Sequence, residues 1–339
     1  MIDFLQRSWG LPPFLGLLLW PILWLFSKLY AVIIHFRNCR YDIRQPWRAE
    51  CKTIALGNIS AGGTGKTPVG LAMAQYFSQR GWKVAIVLRG YAKKDGLADE
   101  VELYRNALGQ EAVFVGAQRQ KSLESLTQQG YQLAILDDAF QHRKVFRDIN
   151  LLLMDITQPP WLDNLLPLGF LREPCHSLRR ANAVLLTRTE QVAPAVAQQA
   201  REKIASYSAS APIFSLATIA KGIAALGGQV DASRSLCGAY FLMSAIGQPE
   251  NFKHTAMAYG VTVLGQHWFP DHHHFTDKEQ KEALTAAQNL GAQGVLITAK
   301  DAVKWSIPGK VFVLHIEAQL PQELWEYLET MLQKNHNIS

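Results

Sequence analysis

The fold of this chain is decided by eight residues, Gly62-Gly63-Thr64-Gly65-Lys66-Thr67-Pro68-Val69. They follow a predicted strand over residues 52–59 and precede a predicted helix that opens at Pro68. Glycines let the backbone curl so that several N–H groups and a helix N-terminus point at one anion, while a lysine neutralises phosphate charge. We therefore expect a phosphate-binding loop that holds a nucleoside triphosphate, with ATP and Mg²⁺ as cofactors.

The loop departs from the usual spacing at Ser60, where the pattern expects glycine. Gly62 and Gly63 supply the missing flexibility, and the Thr67 hydroxyl is the expected Mg²⁺ ligand. The alternative is a glycine-rich turn that precedes a helix and binds nothing. The residues predicted to bind the nucleotide are Ser60, Gly62, Gly63, Thr64, Gly65, Lys66 and Thr67.

Apolar runs rich in β-branched residues alternate with helix-like segments through the rest of the chain. This alternation predicts an α/β fold that resembles P-loop NTPases, with a mainly parallel sheet covered by helices on both faces. The strands expected in it are 53–59, 84–88, 133–136, 149–154 and 183–187, with helices at 69–80 and 195–207. A small, polar stretch at 222–235 precedes a second α/β pattern, with strands at 239–244, 261–265, 295–298 and 311–315.

The 339 residues are long enough for about two domains of roughly 100–200 residues each. We expect a membrane-associated segment at 1–48, a P-loop core at 49–222, and a smaller α/β domain that carries a C-terminal helix at 223–339. The boundary near residue 222 rests on the change in composition there.

The N-terminal segment is the most apolar part of the chain. Residues 11–26 carry no charged side chain and are crowded with Leu, Trp and Phe, and a second apolar run follows at 29–34. Together they approach the roughly 20 residues that span a bilayer, although Pro21 and Lys28 interrupt them. We expect a retained membrane anchor; spanning the bilayer and lying in its interface both stay open, as does a buried helix of a soluble fold.

The basic residues and the cysteines indicate in which compartment the chain lies and which partners it binds. Arginines 37, 40, 44 and 48 follow the apolar segment, which by the positive-inside rule leaves the rest of the chain in the cytoplasm. The four cysteines are dispersed, so we expect reduced thiols. The net charge of +6 is modest and no long basic tract is present, which argues against a nucleic-acid partner.

Paired aspartates end one of the predicted strands. Asp137 and Asp138 follow the apolar run 133–136, where nucleotide-binding folds place the carboxylate that orients Mg²⁺. A turn with solvated charges is the alternative. Gln141-His142-Arg143-Lys144 comes next and is either a contact to phosphate or an exposed basic turn.

Phosphoryl transfer to an alcohol needs a group that takes the hydroxyl proton. The candidates are Asp99-Glu100 and the cluster Asp271-His272-His273-His274. Adjacent histidines cannot all face one ion, so a metal site and a surface loop without a role are the competing interpretations of that cluster. Lys300 and Asp301 follow a predicted strand and either recognise a nucleotide base or start a helix.

Taken together, these motifs resemble the tetraacyldisaccharide 4′-kinases of lipid A biosynthesis over nearly the whole chain. The resemblance is carried by the N-terminal apolar segment, Gly57-Asn58-Ile59-Ser60-Ala61-Gly62-Gly63-Thr64-Gly65-Lys66-Thr67-Pro68, Arg89-Gly90-Tyr91, Asp99-Glu100, Asp137-Asp138-Ala139-Phe140-Gln141-His142, Leu171-Arg172-Glu173-Pro174, Phe269-Pro270-Asp271-His272-His273 and Thr298-Ala299-Lys300-Asp301-Ala302-Val303-Lys304. In that family a serine at the first loop position is normal, so Ser60 supports the resemblance.

The resemblance implies a reaction and an acceptor. It implies transfer of the ATP γ-phosphate to the 4′-hydroxyl of a tetraacylated glucosamine disaccharide 1-phosphate. The product would be lipid IV-A, formed at the cytoplasmic face of the bacterial inner membrane by an enzyme that we expect to be a monomer. The alternative is a membrane-associated P-loop ATPase or GTPase switch without a lipid acceptor, which would need no acceptor base.

The resemblance also assigns roles by matching position. Asp99 and His272 become the acid–base pair, with His273 as the open alternative to His272, and Lys66 becomes the third catalytic residue. The implied metal region is Thr67, Asp137 and Asp138, and the implied phosphate or acceptor side is His142, Arg172 and Glu173.

Overall fold

The structure, a computed structural model, describes residues 13–90, 95–228 and 238–334, with side chains described from residue 19 and, after the first gap, from residue 99. Tyr91 of the Arg-Gly-Tyr motif and residues 229–237 of the small, polar stretch therefore lie outside the described residues. The helices are α1 (Pro13–Ile43), α2 (Lys66–Gln79), α3 (Asp95–Leu108), α4 (Arg119–Gln128), α5 (Pro194–Tyr207), α6 (Pro249–Ala258), α7 (Asp277–Asn289), α8 (Ala299–Ala302) and α9 (Gln322–Lys334).

Twelve strands are present in the described part of the chain, together with short 3₁₀ turns at Pro160–Leu162, Cys175–Arg180 and Thr189–Gln191. The strands are β1 (Lys52–Gly57), β2 (Val84–Arg89), β3 (Val113–Gly116), β4 (Leu133–Leu136), β5 (Ile149–Asp155), β6 (Ala183–Thr187), β7 (Ile213–Ser215), β8 (Ala217–Ala225), β9 (Ala239–Ser244), β10 (Thr262–Trp268), β11 (Val295–Thr298) and β12 (Val311–Gln319).

The chain forms two compact units, each built from separate segments. Unit 1 comprises residues 1–64, 133–216 and 321–339, and unit 2 comprises 65–132 and 217–320. The chain passes from one unit to the other between Thr64 and Gly65, inside the predicted phosphate loop. The three consecutive segments predicted from the sequence divide the chain differently and stay a prediction about its domains.

Unit 1 is organised around parallel strands in the order β4-β1-β5-β6-β7. Strands β1, β4, β5 and β6 are almost completely buried, as expected of a parallel sheet with both faces covered, whereas the edge strand β7 is partly buried. Residues of α5 and of the Cys175–Arg180 turn pack on β5 and β6 in one apolar cluster that also holds Ile59 and Phe140. This packing fixes the carboxyl ends of β1 and β4, where parallel sheets place their ligands.

Unit 2 contains the parallel pair β2 and β3 and a mixed sheet in the order β10-β9-β11-β12-β8. Strand β8 is antiparallel to β12 and the other pairs of this sheet are parallel. Alternate residues of β9 face opposite sides: Phe241 and Met243 pack with α7, and Tyr240 and Leu242 pack with α6. The sheet is therefore covered by helices on both faces.

Helix α1 packs on the rest of unit 1 through one narrow side. It continues through Pro21, and Leu23 packs on Leu168 while Ile34 is also buried. The other side carries large exposed apolar side chains, including Leu25, Phe26, Leu29, Val32, Ile33 and Phe36. Residues 19–43 are long and apolar enough to cross a membrane, and only 17% of their most apolar window is buried.

The predicted fold class is confirmed by this architecture: a large, mainly parallel sheet with helices, a second sheet and an N-terminal apolar helix. The ends of several elements differ from the predictions. Strand β1 stops at Gly57 because the chain there turns past Phe140, and α2 begins at Lys66, two residues before Pro68. Strands β3, β7 and β8 were not predicted.

Candidate functional site

The start of the phosphate loop is pinned against the chain that follows β4. Gly57 has no room for a side chain, since a Cβ there would lie 2.6 Å from the Phe140 backbone nitrogen. The Ala139 N–H donates to the Leu56 carbonyl at 2.8 Å. Gln141 extends this contact by donating from Nε2 to the Asn58 carbonyl at 2.7 Å. The loop therefore begins at a fixed place beside the residues that follow Asp137 and Asp138.

A second segment holds the loop from the other side. Ser60 forms an isolated antiparallel bridge with Leu171, and the Ala61 N–H donates to the Phe170 carbonyl at 2.7 Å. The Arg172 N–H donates to the Ile59 carbonyl at 2.7 Å. The irregular Ser60 thus has a structural explanation, because its backbone pairs with the chain that carries Arg172.

The middle of the loop is fixed by polar side chains of unit 1. Asn58 donates from Nδ2 to Thr64 Oγ1 at 3.2 Å, and both residues are buried. Arg188 donates to the Gly63 carbonyl at 2.9 Å and forms an ion pair with Asp155. A Cβ built at Gly62 or Gly63 would meet nothing within 4 Å, so the loop faces open space on that side.

The end of the loop starts helix α2. Gly65 is the N-cap and has a φ of 83°, a left-handed conformation that glycine adopts without strain. Lys66 and Thr67 are the first two residues of the helix, and its first turn contains no acidic side chain. The unpaired N–H groups of a helix N-terminus, the helix dipole and the lysine together make a site that favours a polyphosphate.

Asp137 and Asp138 form a tight turn at the carboxyl end of β4. Asp137 is 3% exposed and accepts a hydrogen bond from the Asp138 N–H at 2.8 Å, while Asp138 has a φ of 45°. Arg172 binds the Asp138 carboxylate through both oxygens, at 2.9 and 3.0 Å. Carboxylate oxygens are hard ligands of the kind that Mg²⁺ prefers, so the chemistry of Asp137 and Asp138 fits this ion.

His142 belongs to the same turn. Its N–H donates to the Ala139 carbonyl at 3.0 Å, which closes the chain over Phe140 and Gln141. The imidazole is partly buried. The structure thus brings His142 into the segment that supports the start of the phosphate loop.

Glu173 has partners that the sequence did not indicate. The side chain is fully buried, and its carboxylate accepts from Arg37 Nη2 at 2.8 Å, from Asn38 Nδ2 at 3.1 Å and from Arg180. Two of these donors belong to α1 and the third to the Cys175–Arg180 turn. Glu173 therefore ties the N-terminal helix to the segment that carries Arg172, and its predicted contact to phosphate or acceptor stays a prediction.

Asp99 and His272 meet inside unit 2. Asp99 lies on α3 with its side chain 4% exposed, and its Oδ2 is 3.6 Å from His272 Nδ1. His272 follows β10 with a φ of 64°, a left-handed conformation that is uncommon outside glycine. Its N–H donates to the Ala245 carbonyl at 3.1 Å, which holds the imidazole side chain toward α3.

A lysine that sequence reasoning did not select completes this cluster. Lys304 Nζ lies 3.0 Å from Asp99 Oδ2, and its side chain is 1% exposed. Burial raises the pKa of Asp99, but the His272 ring and the Lys304 ammonium outweigh it and hold the pKa of this carboxyl below its ordinary value. Asp99 is therefore an ionised acceptor at neutral pH.

His273 is engaged elsewhere. Its Nε2 lies 3.0 Å from Glu279 Oε2, and its ring stacks on Phe269 with centroids 4.7 Å apart. The Thr276 N–H and the His273 ring hold the pKa of Glu279 at about 2, so this carboxylate is a permanent partner for His273 near neutral pH. These contacts favour His272 over His273 as the partner of Asp99.

Around this pair lies a rim of opposite charges. Lys300 Nζ is 3.8 Å from Glu100 Oε1 and 3.7 Å from Asp271 Oδ1, and Asp271 Oδ2 is 3.7 Å from His272 Nε2. Within the described residues, no group of three or more His, Cys, Asp and Glu side chains is arranged to hold a metal ion. The histidine cluster instead divides into one residue beside Asp99 and one beside Glu279.

Three supporting residues were missed as parts of the site: Asn58, Arg188 and Lys304. Asn58 and Lys304 lie inside motifs quoted from the sequence. The residues next to them in the chain do not indicate which side chain of a motif will be buried in contact with the site. Arg188 follows β6, at the carboxyl edge of the parallel sheet, and this position was the available signal.

Comparison with known proteins agrees with this geometry. The family model of the tetraacyldisaccharide-1-P 4′-kinases matches residues 19–333. A tetraacyldisaccharide 4′-kinase of Anaeromyxobacter sp. (strain Fw109-5) is 33% identical over 310 residues, which cover 85% of this chain and 83% of that protein. One from Syntrophus aciditrophicus (strain SB) is 30% identical and covers 93% of each.

A solved structure is similar over the same extent. The crystal structure of LpxK from Aquifex aeolicus in complex with ATP superimposes with a TM-score of 0.70 at 28% sequence identity. The match covers 94% of this chain and 99% of that one. The fold and the family are thus shared along nearly the whole length.

Proposed function

The chain belongs to the tetraacyldisaccharide-1-P 4′-kinase family, and we propose that Asp99 and His272 take the proton of the acceptor hydroxyl while the loop around Lys66 holds ATP. The protein is an ATP-dependent kinase that phosphorylates the 4′-hydroxyl of a tetraacylated disaccharide 1-phosphate in lipid A biosynthesis. The family does not favour the alternative of a nucleotide switch without a lipid acceptor.

The observation that carries the roles of Asp99 and His272 is their contact inside unit 2. A buried, ionised carboxylate orients an imidazole, and the imidazole can accept a proton from an alcohol. As the 4′-oxygen bonds to the γ-phosphorus, the bond between that phosphorus and the β–γ bridging oxygen breaks, ADP leaves, and the hydroxyl proton passes to the pair. Glu100 and Lys300, at the rim of the pair, lie where they can position the sugar.

The phosphate loop supplies the nucleotide side of the reaction. We assign the N–H groups between Ser60 and Thr67 to the phosphates and the Lys66 ammonium to the charge of the β- and γ-phosphates. Thr67, Asp137 and Asp138 would hold Mg²⁺, which neutralises charge on the β- and γ-phosphate oxygens when bound. The full set assigned to the nucleotide is Ser60, Gly62, Gly63, Thr64, Gly65, Lys66 and Thr67.

We assign Arg172 and His142 to the phosphate or acceptor side, and Glu173 to the same segment in a supporting role. Arg172 supports this assignment because its Nη1 already donates to both oxygens of a carboxylate, and a guanidinium binds phosphate oxygens in the same way. Glu173 fixes the chain on which Arg172 stands.

The N-terminal helix supports a place at the membrane. An exposed apolar side on α1, followed by arginines, suits a bilayer surface that contains a lipid substrate, and confinement there raises the substrate's local concentration. We propose that the enzyme acts at the cytoplasmic face of the inner membrane as a monomer without nucleic-acid partners. Residues 1–48, 49–222 and 223–339 stay our proposal for its domains.

The roles of Asp99 and His272 are tested with purified enzyme, γ-labelled ATP, Mg²⁺ and detergent-solubilised tetraacyldisaccharide 1-phosphate. We expect label in the lipid for the unaltered enzyme, and a loss of about 10²–10⁴-fold in transfer for Asp99→Ala and His272→Ala, with ATP binding kept. His273→Ala is the matched control and should retain transfer. Full activity in His272→Ala would show that this residue is not the proton acceptor.

The membrane proposal is tested by flotation with vesicles of phosphatidylethanolamine and phosphatidylglycerol. Leu29→Lys and Phe36→Lys place charges on the exposed side of α1 and should lower the fraction that floats. Leu226→Lys, at an exposed turn after β8, is the control and should float like the unaltered protein. Equal flotation of all variants would contradict a role for α1 at the membrane.

A further inference from the structure

Asp301 is a buried carboxylate whose hydrogen bonds all go to protein groups. It is 0% exposed, and its Oδ2 accepts from Ser244 Oγ at 2.8 Å and from Thr298 Oγ1 at 2.7 Å. Its Oδ1 accepts from the Ala245 N–H at 3.1 Å. These contacts leave it no exposed atom with which to recognise a nucleotide base, and they fix the carboxylate in one orientation between β9 and α8.

Lys304 connects this carboxylate to Asp99. Its Nζ lies 3.0 Å from Asp99 Oδ2 and 3.8 Å from Asp301 Oδ1, and all three side chains are nearly or completely buried. The lysine is therefore a single ammonium shared between two carboxylates. Burial raises the pKa of Asp301, whereas Asp99 is held ionised, so the ammonium lies between an ionised carboxylate and a buried carboxyl that gives up its proton less readily.

A second connection leads from Asp301 to His272 through the backbone. The Ala245 N–H donates to Asp301, and the Ala245 carbonyl accepts from the His272 N–H at 3.1 Å. His272 needs such support because its φ of 64° is unfavourable for a residue with a side chain. Asp301 thus contacts Lys304, which pairs with Asp99, and also the Ala245 backbone, which is hydrogen-bonded to His272.

The atoms of the pair retain unused hydrogen-bonding capacity. Asp99 Oδ2, His272 Nδ1 and Lys304 Nζ are close together, but within the described residues none of them has a hydrogen bond of good geometry. Few buried polar atoms are left in this state, and a catalytic role is one of the explanations for those that are. Charge contacts without aligned hydrogen bonds leave room for small movements when a hydroxyl arrives.

We propose that Lys304 and Asp301 are positioning residues for the kinase reaction: they hold Asp99 ionised and aimed at His272 and fix the backbone of His272. The inference rests on the proposed roles of Asp99 and His272. The alternative is that these buried charges serve only to stabilise the fold. Replacing a buried ion cluster by apolar residues is, however, often neutral or stabilising. A contribution to stability is therefore a weak explanation for the presence of this cluster.

The charges around Asp99 decide in which direction the loss of Lys304 shifts the pKa of this carboxyl. Lys304, Lys300 and His272 favour its ionised form, whereas burial, Glu100, Asp271 and Asp301 oppose it. Helix α3 also packs against α2, whose one charged side chain is Lys66, and against β3, which has none. His272 is the first opponent of burial and Lys304 the second, so removing Lys304 raises the pKa of Asp99.

The first test compares Lys304→Met with the unaltered enzyme over pH 4.5–8. We expect kcat for lipid phosphorylation to fall about 10²-fold, with KM for ATP unchanged, because a misplaced catalytic group loses rate and not nucleotide affinity. We also expect the acid limb of the kcat/KM profile to move to higher pH, because the pKa of Asp99 rises. Lys278→Met removes an exposed lysine of α7 and should change neither quantity.

A double variant separates positioning from folding. Lys304→Met leaves two buried carboxyl groups without their cation and lowers stability, whereas Lys304→Met with Asp301→Asn also replaces one of these two carboxyl groups by a neutral amide. We expect the double variant to recover much of the melting temperature and to keep the low kcat and the shifted acid limb. Recovery of activity together with stability, or an unshifted acid limb in Lys304→Met, would overturn the inference.

Asp99→Ala separates a failure of the proposed acid–base pair from a failure of the inference about Lys304. If Asp99→Ala phosphorylates lipid at the normal rate, the proposed acid–base pair is wrong and Lys304 has nothing to position. If Asp99→Ala is inactive while Lys304→Met keeps normal kcat and pH dependence, the pair stands and only the inference about Lys304 fails.

Discussion

The Tyr30 hydroxyl donates a hydrogen bond to the backbone carbonyl of Arg172 at 2.9 Å, across 142 positions of the chain. Tyr30 lies on the N-terminal helix, and Arg172 binds Asp138 at the carboxyl end of β4. Arg37 and Asn38 of the same helix bind Glu173, the next residue along. The helix with the exposed apolar side is therefore also part of the framework that supports the proposed nucleotide site.

Tyr30→Phe tests this framework with the loss of one oxygen. The change removes a side-chain donor and should cost about 0.5–1.5 kcal/mol in free energy of unfolding. Since the Arg172 carbonyl then loses a partner beside the loop, we expect a reduced kcat in detergent, where no bilayer is needed. Urea unfolding and the lipid kinase assay measure the two effects. An unchanged kcat would limit α1 to membrane binding.

Glu173→Gln tests the centre of the same network. The substitution keeps the shape but removes the charge that pairs with Arg37 and Arg180. Breaking an ion pair costs about 3–5 kcal/mol when both groups are buried, and we expect a smaller loss here because Arg37 is 35% exposed. Glu317→Gln is the matched control, because its partner Lys221 is 63% exposed and exposed pairs contribute about 0–1 kcal/mol. Equal unfolding free energies for both variants would contradict the role of Glu173.

Gly57→Ala tests the start of the phosphate loop. The added Cβ would lie 2.5 Å from the Phe140 Cβ and 2.6 Å from its backbone nitrogen, so the loop or the chain after β4 must move. We expect a lower melting temperature and weaker ATP binding together. Gly63→Ala has space around it and should weaken ATP binding without lowering the melting temperature. Calorimetry with and without ATP separates the two cases.

Strongly patterned elements could be predicted to the residue. The strands β4, β9 and β11 were predicted with their observed bounds, because each is a continuous apolar run that ends at polar residues. Strand β8 could not be, since Ala, Gly and Thr dominate it and it lies at the edge of its sheet, where burial is partial. The residues of β8 were predicted to lie partly in the P-loop core domain, which ended at residue 222, and partly in the small, polar stretch at 222–235.

The candidate site divides in a similar way. The phosphate loop and the aspartates after β4 were predictable because their chemistry depends on residues adjacent in sequence. Lys304 was not, since it reaches Asp99 only through the tertiary fold. For Glu173, the sequence showed a charged residue beside Arg172 but not the donors from α1 that surround it.

Glu279 predicts a specific acid dependence of stability. Its pKa is lowered to about 2 by the Thr276 backbone N–H and by His273, against an ordinary value of 4.5. A lowered folded-state pKa stabilises the fold above the unfolded value, and this contribution is lost as the pH falls from 4.5 toward 2. Glu279→Gln should therefore be less stable than the unaltered protein at pH 7, and the difference should shrink by pH 3.

The control for this measurement is Glu282→Gln on the same helix. Glu282 is 60% exposed and forms an ion pair with the exposed Lys278, so its difference from the unaltered protein should be small at both pH values. Urea unfolding at pH 7 and pH 3 provides the comparison. A Glu279→Gln difference that stayed constant between the two pH values would contradict the assigned cause.

Lys66→Met tests whether the loop grips the triphosphate. A ligand that binds only the folded protein stabilises it by about 2.7 kcal/mol when its concentration is 100 times its Kd, so ATP with Mg²⁺ should raise the melting temperature of the unaltered enzyme. Lys66 is the first residue of α2, and its loss should abolish most of the ATP-induced rise, measured against the variant's own melting temperature without ATP. Lys121→Met, at an exposed position of α4, should keep the full rise. If Lys66→Met kept the full rise as well, the ammonium would not be part of the phosphate site, and the N–H groups of the loop would have to account for nucleotide binding alone.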